Sequence, residues 1–304
     1  AVRYDGDYGF DGFLEKGGAS SDQEVVQYLA ENLVGELGLD FLGNFFGCST
    51  ITANRPDGGV LFGRNFDWNA CEAMVVEAHP EKGYASLSTV NMDFISMGAG
   101  GMMGAALKLD QVRTLAALYA PLDGMNEKGL AVSVNMIQDN ASISQSTGKL
   151  GITTTAAVRL LLDKAANVDE ALELLRQHDF HASIGLVVHL ALADAAGRSV
   201  VVEYIGNEMS VIETPVVTNF YLTPGEKYGI GTSQSHTRYK ILQNLLAENP
   251  ALTPEDVRDA LSRVSKGNFG EFESTEWSIV FDLADKTARY YHRENYENSW
   301  LLAL

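Results

Sequence analysis

The chain has 304 residues, 46% of them hydrophobic and 20% charged, with a formal net charge of −18. That length supports a sizeable core, in one large domain or two small ones. The acidic balance repels phosphate backbones and anionic lipid, which argues against nucleic-acid binding, and no run of roughly 18 apolar residues offers a membrane span.

Residues 1–19, rich in glycine, aspartate and aromatics, read as an irregular arm. A helix is predicted next: Ser21 and Glu24 have capping-box spacing, and Val25, Leu29, Leu33 and Leu37 recur along one face. From Cys48 the pattern changes to a strand, a turn at Pro56-Asp57-Gly58 and a second strand ending near Asp67. Two more strand pairs follow, one across Ala195–Gly197 and one across Asp285-Lys286. Helical periodicity returns in four segments, at 154–167, 168–178, 237–249 and 253–264, the last with Thr253 as N-cap and Pro254 at the first helical position. Antiparallel strand pairs with paired helices between them predict an α+β fold, with two stacked antiparallel sheets and helices outside.

The familiar catalytic signatures are missing from the sequence. The six histidines form no metal-ligand pattern; His178 and His181 read as solvated helix-end residues. There is no G-x-S-x-G and no phosphate loop, and the glycine-rich stretch at 98–104 has Met103 where a dinucleotide loop needs spacing to a glycine. No metal or organic cofactor is therefore expected. Two cysteines, Cys48 and Cys71, cannot build a disulfide framework. Cys48 is either an inert core thiol or a nucleophile, and no histidine lies near it in sequence to act as its base. One available base is an α-amino group created by cutting Gly47–Cys48, with an unperturbed pKa of about 7.7–8.0. Gly47 leaves its carbonyl open to the thiol. Ala1 in place of a methionine points to a removed targeting peptide, hence a secreted or cell-envelope protein, or else to a trimmed cytoplasmic one.

The stretch from Cys48 to Trp68 resembles the mature start of the choloylglycine-hydrolase family. That family includes bile salt hydrolases and penicillin V acylases and is related to acid ceramidase and N-acylethanolamine acid amidase. Arg64 and Asp67 lie sixteen and nineteen residues after the cysteine, as in the family's G-R-N-x-D segment. Further segments resemble it in order, ending in Asn135, carrying Asn219 in "VVTNF", carrying Arg238 in "SHTRYKIL", and closing in the hairpin at 276–298. Ser49 departs from the family's threonine, and only nineteen residues separate Asn219 from Arg238, where bile salt hydrolases carry a long assembly segment.

The resemblance implies a four-layer αββα N-terminal-nucleophile fold, with 1–47 as a helical propeptide and 48–304 as the catalytic domain. It implies Cys48 as nucleophile, Gly47–Cys48 as the self-cleaved bond, and Arg64 as the group favouring the thiolate. Asp67 would orient the new amine, Asn135 and Asn219 would serve the oxyanion, and Arg238 would give electrostatic support. Each has a plainer reading, as a core thiol, a surface ion pair, turn residues or a helix-start residue. Met92, Phe94, Ile95, Met97, Met102 and Met103 suit an adaptable apolar pocket or a core. The expected reaction is hydrolysis of a linear N-acyl amide with an apolar acyl part. The alternatives are an acyltransferase, a penicillin V acylase or an inactive binding protein. A homo-oligomer is compatible with the sequence, though not the bile-salt-hydrolase tetramer.

Overall fold

The computed structural model describes residues 1–34, 47–96, 110–137, 139, 141–225, 231–267 and 273–304. Its N-terminal part holds strand β1 (Val2–Asp5) and helices α1 (Phe10–Glu15) and α2 (Asp22–Leu29), the latter continuing into a π-helical turn over Ala30–Val34. Ser21 caps α2 by accepting a bond from the Glu24 N–H, while Glu24 accepts one from the Ser20 N–H. The irregular arm expected over 1–19 is thus ordered. β1 lies parallel to β4 (Ala73–His79), with Val2 opposite Val76. Phe10 and Phe13 are buried, and the buried Tyr8 hydroxyl donates to Asp163 at 2.5 Å. Elements of four and six residues are too short for a hydrophobic period to register in sequence, and burial rather than propensity holds them.

Two sheets stack face to face. The first has eight strands in the order β1, β4, β5 (Ser86–Asn91), β6 (Asp123–Asn126), β7 (Ala131–Met136), β10 (Val188–Ala193), β11 (Ser199–Ile205) and β12 (Glu208–Glu213). The second has six, in the order β13 (Val216–Val217), β2 (Gly47–Asn54), β3 (Val60–Trp68), β14 (Ser274–Asp282), β15 (Thr287–His292) and β16 (Asn295–Ala303). Pairing is antiparallel apart from β1 with β4. A separate parallel pair joins β8 (Leu150–Thr153) to β9 (His178–His181). The two histidines of β9 therefore sit on a strand, not at a helix end, and His178 is buried with Nδ1 against the Leu174 carbonyl.

Three apolar layers hold the stack together. Phe62, Phe66, Trp277 and Phe281 of the second sheet pack on Met125, Ala191 and Val201 of the first. Outside the first sheet, α5 (Thr154–Lys164) and α6 (Val168–Arg176) bury Ala157, Leu161 and Leu172 against Val132 and Leu190. Outside the second, α7 (Ser233–Glu248) and α8 (Pro254–Arg263) bury Leu242, Val257 and Leu261 against Ile51 and Val280. The predicted N-cap Thr253 forms a full capping box with Asp256. At Gly63 a β-carbon would come within 2.6 Å of Val257 Cγ1, so this glycine lets α8 press onto β3 beside Arg64. Two shorter helices, α3 (Met92–Ser96) and α4 (Asp110–Leu118), follow β5. The result is the expected α+β, four-layer αββα sandwich.

Because α1 is part of the core, Phe13→Ala is expected to lower unfolding stability by about 3–5 kcal/mol. Urea unfolding checks this, and an unchanged midpoint would make the N-terminal segment peripheral.

Candidate active site

The β2–β3 hairpin explains the sequence spacing. Cys48 lies opposite Phe66, Thr50 opposite Arg64, and Gly47 opposite Asp67. Opposed residues share a face and neighbours alternate. Cys48, Phe66 and Arg64 therefore face the space between the sheets, while Gly47 and Asp67 face α7 and α8. All six sequence-predicted residues are brought together, and all are buried.

On the helix side the backbone of Cys48 is held at both ends. Its N–H donates to Asn219 Oδ1 at 2.8 Å, and its carbonyl accepts from Arg238 Nη1 at 2.9 Å. Arg238 Nη2 donates to the same Asn219 oxygen at 2.8 Å, and Nη1 lies 3.4 Å from Asp67 Oδ2. Asn219 is fixed in turn, its Nδ2 donating to the Met136 carbonyl at 2.7 Å. Asp67 accepts from Thr275 Oγ1 at 2.7 Å. In the continuous chain it is thus Asn219, rather than Asp67, that holds the Cys48 nitrogen.

Between the sheets, Arg64 is fully buried and paired with Asp123 through Nε at 2.5 Å. Its Nη1 donates to Ser133 Oγ and, at 3.1 Å, to Asn135 Oδ1. Ser133 also donates to Asn135 Oδ1, at 2.8 Å, so both bonds fix that amide with its nitrogen turned away. Two buried donors, Arg64 Nη2 and Asn135 Nδ2, have no hydrogen-bond partner among the described residues. An unpaired buried donor is costly, so both groups have hydrogen-bonding capacity left for a molecule that enters beside them.

Burial pushes the Cys48 thiol up from its ordinary value. The Asp67 charge adds to this, while the charges of Arg64 and Arg238 and the Asp67 N–H oppose it. Burial thus favours the thiol over the thiolate. Burial and the charges of Glu276 and Asp93 also raise Cys71, which sits outside this cluster. Beside Cys48 lies a cavity of about 100 Å³ with an apolar wall that includes Phe66, Trp68, Leu122 and Met136. Phe94 and Ile95 line it as well, whereas Met92 belongs to the core behind the first sheet, and Met97, Met102 and Met103 lie outside the described residues. Asp22, from the N-terminal segment, also lines it. Among the described residues no group of His, Cys, Asp and Glu is placed to hold a metal ion, and no helix is long and apolar enough to cross a membrane.

Residues 116–297 match the pattern of the acyl-coenzyme A:6-aminopenicillanic acid acyl-transferase family. The chain belongs to this family. The chain is 32% identical over 99 residues to penicillin V acylase of Pectobacterium atrosepticum, covering 29% of this chain and 26% of that protein. It is 33% identical over 103 residues to an uncharacterised protein of Paramecium bursaria Chlorella virus 1, covering 31% and 37%. The matches thus span between about a quarter and somewhat over a third of these curated relatives. Among solved structures, a mutant of the conjugated bile acid hydrolase from Clostridium perfringens superposes with TM-score 0.63 at 17% identity, covering 84% of this chain and 92% of that one. Penicillin V acylase from Agrobacterium tumefaciens gives 0.57 at 18%, covering 84% and 86%. The fold of this family member is thus that of the N-terminal-nucleophile hydrolases.

Several supporting residues carried no sequence signal. Asp123 and Ser133 sit on β6 and β7 and reach Arg64 only through the stacking of the sheets. His189 and Glu203 form a fully buried pair at 3.2 Å. His189 Nε2 donates to the Thr218 carbonyl, and Glu203 accepts from the Leu222 and Thr223 N–H groups, so the pair pins the segment carrying Asn219. Burial works to raise the Glu203 carboxyl, but the bonds and charge from His189, with those from Thr223 and Leu222, win and hold it at about 2, below the ordinary 4.5. A depressed carboxyl stabilises the fold above its unfolded value and loses that contribution as pH falls through its folded one. Wild-type stability should therefore drop between about pH 4.5 and about 2. Glu203→Gln should flatten that part of the pH profile of urea unfolding; an unflattened profile would remove Glu203 from the account.

Proposed function

We propose that the chain is a cysteine amidohydrolase that activates itself by cutting Gly47–Cys48. The observation that carries this reading is a buried thiol at Cys48 in one cluster with Arg64 and Asn135, whose Nη2 and Nδ2 are buried and have no hydrogen-bond partner among the described residues. A core thiol needs neither.

In the first reaction the Cys48 thiol attacks the Gly47 carbonyl carbon. The peptide C–N bond breaks, the thiol proton passes to the nitrogen, and water hydrolyses the resulting thioester. Cys48 then carries a free amine, whose unperturbed pKa of about 7.7–8.0 suits a general base. Asn219 Oδ1, which holds the same nitrogen at 2.8 Å in the uncut chain, orients it, with Asp67 and Arg238 alongside. In turnover the amine takes the thiol proton as Sγ attacks an amide carbonyl. Arg64 and Asn135 stabilise the oxyanion, where losing one such donor costs about 3 kcal/mol of barrier. The substrate amine leaves with the proton, and water activated by the Cys48 amine releases the acid.

The cavity points to the acyl side of the substrate. Its wall is almost wholly apolar, which suits an apolar acyl group. The names of the relatives, penicillin V acylase and conjugated bile acid hydrolase, agree with amide cleavage. The N-terminal segment supplies a sheet strand and a cavity residue, so after the cut it stays bound as a second polypeptide. The short interval between Asn219 and Arg238 argues against the bile-salt-hydrolase tetramer.

Amides with an apolar acyl part are expected to turn over at least about tenfold faster than amides of similar size with a charged acyl part, on the apolar lining of the cavity. Cys48→Ala should lose more than about a thousandfold in kcat/KM, as removal of a nucleophile does. A Cys48→Ala variant as active as wild type would overturn the proposal. Since the family pattern is described as an acyl-transferase, a competing amine is included in the assay. A new amide as the main product would assign the site to acyl transfer instead.

A further inference from the structure

Lys266 follows α8 and is buried, its Nζ 2.7 Å from Glu273 Oε1. Its backbone N–H donates to Thr275 Oγ1 at 2.8 Å, the same hydroxyl that donates to Asp67 at 2.7 Å. One threonine thus fixes Lys266 and Asp67 relative to each other. Their side chains converge on Gly47. A β-carbon at position 47 would collide with the Lys266 ammonium and would come within 2.9 Å of both Lys266 Cε and Asp67 Oδ2. The space a side chain would fill at residue 47 is already occupied by an ammonium on one side and a carboxylate on the other. A side chain at residue 47 would have to displace that ammonium and that carboxylate, so glycine suits the position for more than its open carbonyl.

We infer that Lys266 is a positioning residue for the cutting of Gly47–Cys48, holding the scissile glycine in place and its ammonium beside the carbonyl where negative charge develops. The inference rests on the self-cleavage reading above. The thiol approaches from between the sheets, whereas the ammonium lies on the opposite, helix-facing side. As the Sγ–C bond forms, the carbonyl oxygen gains negative charge. As the C–N bond breaks, the thiol proton goes to the Cys48 nitrogen. After water opens the thioester, Gly47 ends in a carboxylate next to the same ammonium. A cation at that position stabilises both anionic species more than the neutral starting amide.

The test follows the rate at which the uncut full-length chain becomes two, by intact mass, across pH, for wild type, Lys266→Met and Lys266→Gln. Melting of each uncut chain verifies folding, and Lys266→Gln keeps the test open if the methionine variant does not fold. The expected result is cutting slowed at least about tenfold in the variants. Once cut, they should retain wild-type kcat on an amide within about threefold, because the ammonium serves Gly47 and not the acyl cavity; a purely structural role would lower both. Folded variants that cut at the wild-type rate overturn the role of Lys266 and leave self-cleavage standing. Wild-type chain that is never cut overturns both.

Discussion

The backbone of Cys48 is gripped at its nitrogen by Asn219 and at its carbonyl by Arg238, and those two side chains are bonded to each other. This small ring of hydrogen bonds fixes the one residue to which every other part of the site refers. It draws on β2, the segment after β13, and α7, so it forms only when the second sheet and its helices have assembled. The buried His189–Glu203 pair extends the same constraint by pinning the chain on both sides of Asn219. A buried polar pair with its hydrogen bonds satisfied is a good means of fixing geometry, and here it fixes the acceptor of the Cys48 nitrogen.

The strand alternation of β2 separates two kinds of chemistry across one backbone. Toward the first sheet lie the thiol, Arg64, Asn135 and the apolar cavity; toward the helices lie Gly47, Asp67, Lys266 and Arg238. On one side the surroundings oppose ionisation of the thiol through burial, with Arg64 working against that. On the other, charged groups surround the peptide bond that precedes it. Under the proposed cut, a free nitrogen and a thiol on the same residue, each in its own surroundings, would let one residue act as both nucleophile and base. The N-terminal segment reaches the same region from a third direction, with β1 at the far edge of the first sheet and Asp22 in the cavity wall.

Much of this organisation was legible in the sequence, because hairpin geometry is local. The turn at Pro56-Asp57-Gly58 and the alternation on either side fix the offsets of Arg64 and Asp67 from Cys48. The helices 154–164, 168–176 and 254–263 follow from their periodicity and caps. What was not legible depends on sheet stacking or on close packing. Asp123 and Ser133 look like ordinary strand residues until β6 and β7 face β3. Lys266 looks like a surface lysine until Gly47 is seen to lack room for a β-carbon. The strand and helix within residues 1–19 were missed because so few residues show no period, and their order comes from burial of Tyr8, Phe10 and Phe13. In sequence Asn219 reads as offering an amide or a backbone N–H to the oxyanion; in the fold its side-chain nitrogen donates to the Met136 carbonyl and its oxygen holds Cys48. Only the three-dimensional packing assigns the two atoms of that amide.

The central claim is that Cys48 works as an N-terminal residue. The most direct measurement is N-terminal sequencing of protein shown to turn over an amide, with the free amine blocked chemically in a parallel sample. The account predicts a second N-terminus beginning Cys48-Ser49-Thr50, co-purifying with one beginning at Ala1, and loss of turnover when that amine is blocked. Full amide turnover by a chain with Ala1 as its single N-terminus would contradict it.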